Sequence, residues 1–291
     1  MRLRSIIRKI LVFLTFLFFK LLGSQGQKNI IKIFKEATQD SNLTVLPKII
    51  ETIPTPRGNI KFYSIDELTL WRAHSLLTKE PETIEWIDRF EDGDVYWDIG
   101  ANIGTYALYA GIKQNIKVFA FEPSAANYML INKNIELNNL SSSVKAFCMA
   151  FTNTVSLDEL KMQNTDFGGA LSSFGVAVDY EGKTFEPKFL QGMLGFSVDS
   201  FVEIFSLPFP THIKIDVDGI ESRIVLGSQK TFSDLRLKSI SIELDANRPD
   251  YTEAVIKNIE NAGLTLKSKR HAKIFNDGPY SSIYNYLFTR K

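Results

Sequence analysis

Residues 95–110 read VYWDIGANIGTYALYA. An apolar run over 95–98 ends in an aspartate. Glycine, asparagine and glycine then follow at alternate positions, Gly100, Asn102 and Gly104, before a helix-like pattern over 103–112. Glycine permits a tight strand-to-helix turn and lets a ligand approach the backbone. The helix start supplies free N–H groups. A pyrophosphate-binding turn would read G-x-G-x-x-G. Here the spacing is G-x-N-x-G, and Asp98 stands two positions before it. A carboxylate there repels pyrophosphate and suits a cationic or amine-bearing ligand.

Outward from this turn, strand-like runs recur at 117–122, 144–151, 212–217 and 239–244. Helix-like segments follow at 124–137, 221–232 and 251–262, with Ser124 placed to cap the first. Two last strands fit 264–274 and 281–290, joined by the turn signal NDGP. Such alternation predicts an α/β fold with a mostly parallel sheet covered on both faces. Ligands of these sheets bind beyond the carboxyl ends of the strands. The second strand ends in Glu122, placed to accept hydrogen bonds from both ribose hydroxyls. An adenosine ligand with a positive centre and no phosphate fits both acids, and S-adenosylmethionine is that ligand. A turn that merely joins a strand to a helix is the plainer alternative.

The motifs KEPETIEWI, VYWDIGANIGTYALYA, VFAFEPS, IKIDVDGIE and SIELD occur in that order. Together, over residues 60–245, they resemble the FkbM-type family of S-adenosylmethionine-dependent methyltransferases. The resemblance implies a class I methyltransferase Rossmann-like fold: a seven-stranded, mostly parallel sheet with an antiparallel last strand. It implies O-methylation, with Asp98, Gly100, Asn102 and Gly104 forming the cofactor loop and Glu122 holding the ribose. The stretch CMAFTNT (148–154) matches the adenine side of that family only loosely.

In IKIDVDGIE, Lys214, Asp216 and Asp218 alternate on one strand face. A cation and two carboxylates in a central strand are costly unless paired. Asp216, and after it Asp218, are the candidates for a general base that activates a hydroxyl acceptor. The plainer readings are an ion pair for Lys214 with Asp216 and a helix-end role for Glu221. With Glu243 and Asp245, up to five carboxylates converge. They form either a polar acceptor pocket answered by Lys214 and Arg248, the reading preferred here, or a site for a hard divalent cation. No metal ligand is assigned. Trp71, His74 and Lys79 are expected to wall the site, with His74 a rival base.

Residues 152–210 carry many phenylalanines and glycines and read as an irregular substrate loop, or else a small local core. Residues 28–90 read as a cap region and 91–291 as the cofactor-binding domain. At the N-terminus, Arg2, Arg4, Arg8 and Lys9 precede an apolar run over 10–19. That run is shorter than the ~20 residues of a membrane span. A basic, apolar helix over 1–27 fits a peripheral anchor on the inner membrane face, a helix packed on its own domain, or a cleaved signal.

Net charge of +1 argues against nucleic acid as a partner. One cysteine, Cys148, and three histidines argue against disulfides and zinc and fit a cytoplasmic protein. The acceptor expected is a glycan or other small molecule. Two further readings stand beside the methyltransferase: a cofactor-binding scaffold without turnover, and a nucleotide-dependent dehydrogenase.

Overall fold

A computed structural model describes residues 49–113 and 115–290, together with 23, 25, 26 and 29. The helix expected over 1–27 therefore lies outside the described residues except for Gly23, Gln25 and Gly26. Among the described residues no helix is long and apolar enough to cross a membrane. Of two units, Met1–Ile49 and Ile50–Lys291, the second carries the fold.

It opens with a hairpin, β1 (Ile49–Thr55) and β2 (Gly58–Ser64), then α1 (Glu67–His74) and α2 (Pro81–Asp88). Asp66 and Thr69 form a reciprocal capping box on α1, and Pro81 occupies the first turn of α2. The alternating core follows: β3 (Val95–Ile99), α3 (Thr105–Gly111), β4 (Lys117–Phe121), α4 (Ala125–Leu137) and β5 (Val144–Phe147). A smaller group comprises β6 (Ala150–Phe151), β7 (Ser156–Met162), β8 (Ser172–Phe174), β9 (Phe189–Phe196) and α5 (Val198–Ile204). The core resumes with β10 (His212–Ile215), α6 (Glu221–Leu226), α7 (Gln229–Ser233), β11 (Ser239–Asp245), α8 (Pro249–Asn261), β12 (Thr265–Arg270) and β13 (Ile283–Thr289).

The main sheet has seven strands in the order β12-β13-β11-β10-β3-β4-β5. The five inner and leading strands run parallel, and β13 is antiparallel to both its neighbours. The expected α/β sheet with an antiparallel last strand is the one observed.

Strand alternation divides the core. Tyr96 points to one face, among Ile87, Leu108 and Ile131. Trp97 and Ile99 point to the other, among Phe121, Phe201 and Ile213. Chain reversals between these faces bring β3 and β10 side by side, with Asp98 paired in register with Lys214.

Three local expectations are corrected. Residues 152–210 are not irregular: β7 lies between β8 and β9, and β6 joins the far edge, in a four-stranded sheet. Leu160, Met162, Phe174 and Met193 form its core. Its other face exposes Leu157 and Leu194, so apolar residues on both faces hid the period of two. The helix expected over 221–232 breaks after Leu226, where a side chain on Gly227 would meet the Thr152 carbonyl at 2.5 Å. The strand expected over 212–217 stops at Ile215, because the chain turns at Asp218 and Gly219, both with positive φ.

Two asparagines of α4 tie the hairpin to the core. Buried Asn134 accepts from the Tyr63 N–H at 2.8 Å and donates to the Ile103 carbonyl at 2.9 Å, inside the glycine turn. Asn138 exchanges bonds with Lys61 on the same strand. Asn134→Ala removes a buried link between hairpin and turn. It is expected to cost ~1–3 kcal/mol in denaturant unfolding; an unchanged midpoint would show that the link adds nothing.

Candidate active site

The turn after β3 takes left-handed backbone at every second residue: Gly100 (φ 86°), Asn102 (φ 51°) and Gly104 (φ 87°). This explains the spacing, since asparagine is among the few side chains that tolerate that region. Gly100 is also held by close approach. A Cβ there would stand 1.8 Å from the Asp216 carbonyl oxygen, so the ends of β3 and β10 can meet only at glycine.

Glu122 secures the turn from the next strand. One carboxylate oxygen accepts from the Asn102 N–H at 2.7 Å, the other from the Ser124 N–H at 2.8 Å. Burial pushes this carboxyl up to about 7, against the pull of those hydrogen bonds. Asp98 lies beneath the turn, 1% exposed, with its Oδ2 unpartnered among the described residues. Burial raises it to about 6, opposed by Lys214.

A cavity of about 500 Å³ opens at these strand ends. Gly100, Asn102 and Glu122 line one part of it; Asp216, Asp218 and Glu243 line another. Asp98 instead borders a small adjoining space of about 30 Å³ with Lys79, Lys214 and Asp216, and Gly104 lines neither. A second small space, apolar and bounded by Pro123, Met149 and Phe151, adjoins the turn from the side of β5 and β6. Met149 and Phe151 of the loosely matching stretch thus border a space beside the turn, not the larger cavity.

The segment between β7 and β8 is strapped across the turn. Asn102 Nδ2 donates to the Gly169 carbonyl at 2.8 Å, and Asn127 Nδ2 donates to the same oxygen at 3.0 Å. The Gly168 N–H donates to Asn127 Oδ1 at 2.8 Å, while Arg72 Nε donates to the Gly168 carbonyl. The Leu171 N–H donates to Asp218 Oδ2 at 2.7 Å.

Lys214 is 1% exposed, and its Nζ lies 2.6 Å from Asp216 Oδ2 and 3.5 Å from Glu80 Oε2. Lys79 meets the other oxygen of Glu80 at 2.9 Å. Burial alone would raise Glu80, but Lys214 and Lys79 outweigh it and hold the carboxylate below the usual range. Burial likewise opposes the Lys214 charge, and Asp216, Glu80 and Asp98 outweigh it.

Of the five carboxylates expected to converge, three reach the cavity. Glu221 instead accepts from the Gly219 N–H and the Tyr251 hydroxyl, and Asp245 accepts from the Asn247 N–H. Arg248 does not answer the acids: it stacks on Tyr251 at 3.8 Å and donates to the Tyr180 carbonyl. His74 pairs with Glu51 at 3.1 Å, away from the cavity, while Trp71 and Lys79 do line it. Sequence reasoning missed Glu80, Arg72, Asn127 and the strap. Their only signals were a charge before Pro81 and polar residues on α1 and α4.

A sheet in this order, with a glycine turn after its first strand and a buried acid after its second, defines a class I methyltransferase. Residues 98–264 match the family described as "Methyltransferase FkbM domain". The chain belongs to that family, and the dehydrogenase alternative falls with it. The hexuronic acid methyltransferase AglP of Haloferax volcanii is 24% identical over 190 residues, 65% of this chain and 72% of the relative. A tRNA (guanine(37)-N(1))-methyltransferase of Schizosaccharomyces pombe is 35% identical over 90 residues, 31% of this chain and 19% of the relative. The crystal structure of an FkbM methyltransferase from Methylobacillus flagellatus aligns with TM-score 0.49 and 16% identity. That alignment covers 76% of this chain but only 51% of that one.

The protein is an S-adenosylmethionine-dependent methyltransferase. The residues present fit that cofactor: a backbone open to close approach at Gly100, a buried carboxylate at Glu122, and the unpartnered Asp98 Oδ2.

Glu122 supplies a pH test. A carboxyl raised from 4.5 to about 7 binds more protons folded than unfolded, so its contribution to stability is full below pH 4.5. That contribution is lost as pH rises through about 7. Between pH 5 and 8 the ligand-free protein is therefore expected to lose on the order of 1–3 kcal/mol more than Glu122→Gln. Parallel stability profiles for the two proteins would contradict the assigned shift.

Proposed function

We propose that the protein methylates a hydroxyl of a carbohydrate or similar small metabolite. One observation carries this reading: the cofactor turn and the strand-end acids share one cavity, rimmed by half-exposed aromatic rings, Trp71 and Tyr280. An amphipathic ring beside hydrogen-bonding carboxylates suits the apolar face and the hydroxyls of a sugar. The hexuronic acid specificity of the relative points the same way.

When bound, S-adenosylmethionine supplies a methyl group on a positively charged sulfur. In this proposal Glu122 holds the ribose; Asp98, Gly100, Asn102 and Gly104 form the cofactor loop. Asp98 acts from beneath toward the amino group, and Gly104 shapes the helix start. Asp216, held by Lys214, and Asp218, held by Leu171 N–H, orient the acceptor hydroxyl beside the turn. Trp71 and the strap over residues 164–172 keep water from the reacting oxygen. Positioning is the main task, because the methyl group is already activated.

The test is transfer of a labelled methyl group to a panel of p-nitrophenyl glycosides, including glucoside and glucuronide, with a tRNA transcript as control. Label on a sugar oxygen is expected. Cofactor binding without any turnover would favour the scaffold reading, and label confined to RNA would replace the acceptor class.

We further propose that Arg2, Arg4, Arg8, Lys9 and the apolar run after them hold the enzyme on the cytoplasmic face of a membrane. Sedimentation with anionic vesicles is expected to drop when Arg4, Arg8 and Lys9 are changed to Glu; equal sedimentation would remove the proposal.

A further inference from the structure

Each strand-end carboxylate of the cavity except one already has a donor. Asp216 takes Lys214, Asp218 takes the Leu171 N–H, and Glu122 takes two backbone N–H groups. Glu80, behind them, takes Lys79 and the Thr83 hydroxyl. Glu243 lines the same cavity and, among the described residues, receives no hydrogen bond. It stands on β11 opposite Asn285 of β13, and its carboxylate lies within 4.8 Å of those of Asp216 and Glu80. Asn285 spends its amide N–H on Glu82 and leaves its own Oδ1 unpartnered. Asn285 makes no hydrogen bond to Glu243 either.

We infer that Glu243 accepts the hydroxyl proton of the acceptor during methyl transfer, an inference that rests on the O-methylation proposed above. The acceptor oxygen forms its bond to the methyl carbon as the carbon–sulfur bond breaks, and that electron pair stays on sulfur. The hydroxyl proton passes to the Glu243 carboxylate and from there to solvent through the open cavity. Asp216 and Glu80 are each already committed to an ammonium. Glu243 is not.

The charges around it set its proton affinity. Burial raises its carboxyl well above the usual range, and Asp216 and Glu80 raise it further, while Lys79 and Lys214 pull it down. Glu82 on α2 and Asn285 on β13 line the same cavity. A cation arriving in the same cavity favours the charged form. A cation held there would therefore favour the carboxylate form of Glu243, the form that can accept the hydroxyl proton.

This coupling can be read without knowing the acceptor. The full chain is titrated calorimetrically with S-adenosylmethionine and with uncharged-sulfur S-adenosylhomocysteine, each in phosphate and in Tris at pH 7. The buffer dependence of the heat counts the protons released. Groups facing the parts common to both ligands, Glu122 and Asp98 among them, cancel in the difference. More protons are expected to leave with S-adenosylmethionine, and the excess is expected to vanish in Glu243→Gln, with affinity for S-adenosylhomocysteine kept within about threefold. Equal release in the wild type, or an excess that survives in Glu243→Gln, overturns the inference.

In the acceptor panel, Glu243→Gln is expected to lose ~10²–10⁴-fold in kcat and the acid limb of the pH profile, with Glu243→Asp intermediate. A Glu243→Gln rate within threefold of wild type overturns the inference as well. Should Glu243→Gln fail to fold, Glu243→Asp carries both arms, with a smaller proton excess and a lower kcat expected and wild-type values in both overturning the inference. Should the wild type methylate no sugar, the carbohydrate acceptor falls instead, and the calorimetric difference still decides whether Glu243 gives up its proton to a cation in the cavity.

Discussion

A lysine ammonium sits at the centre of the sheet with almost no access to water, and the rest of the site is arranged around its neutralisation. Lys214 lies between Asp216 on its own strand and Glu80 from the turn before α2. An unpaired buried charge costs several kcal/mol, so both partners must be in place for the fold to close. Glu80 is in turn held by Lys79 and Thr83. The helical segment before the core is thereby locked onto the strand ends, and it brings Lys79, Arg72 and Trp71 to the cavity. The helices before β3 and the strand ends thus meet through this ion cluster as well as through apolar packing.

The second constraint is backbone shape. Three left-handed residues at alternate positions bend the chain from β3 into α3, and Gly100 lets that bend touch the end of β10. Glu122 then reads the result, since its carboxylate reaches the Asn102 N–H only if the bend is correct. Asn102 has a double use. Its N–H closes the turn on Glu122, and its side-chain amide holds the strap at Gly169. The segment that crosses the turn is thus attached to the turn itself.

Much of this was legible in residue order. The turn at Gly100, Asn102 and Gly104, the acid at Glu122 and the acids Asp216 and Glu243 near the ends of their strands all follow from period and punctuation. Those features are local: a left-handed position demands glycine or asparagine, and a buried strand demands an apolar run. What was not legible depends on distant partners. Nothing near Glu80 in the chain announces a lysine from β10. The small sheet hid because β7 and β9 carry leucines on their exposed side too. Glu221 and Asp245 looked like site acids because residue order does not show that the Gly219 N–H and Tyr251 hydroxyl claim the one and the Asn247 N–H the other. Arg248 was likewise claimed by the nearest ring, Tyr251, rather than by the acids.

The acid cluster raises a question of charge balance that the lysines answer. Glu80, Asp216 and Glu243 present oxygens within 4.8 Å of one another, a spacing that would also suit a hard cation. Both oxygens of Glu80 already face ammonium groups, Lys79 at 2.9 Å and Lys214 at 3.5 Å, and Asp216 meets Lys214 at 2.6 Å. A divalent ion seated among them would stand against two fixed positive charges, and displacing those lysines would leave them buried and unpaired. The lysines occupy the electrostatic place of a metal. Unlike a metal, they leave one carboxylate of the group uncommitted, and that asymmetry is what turns a cluster of acids into a site able to move a proton.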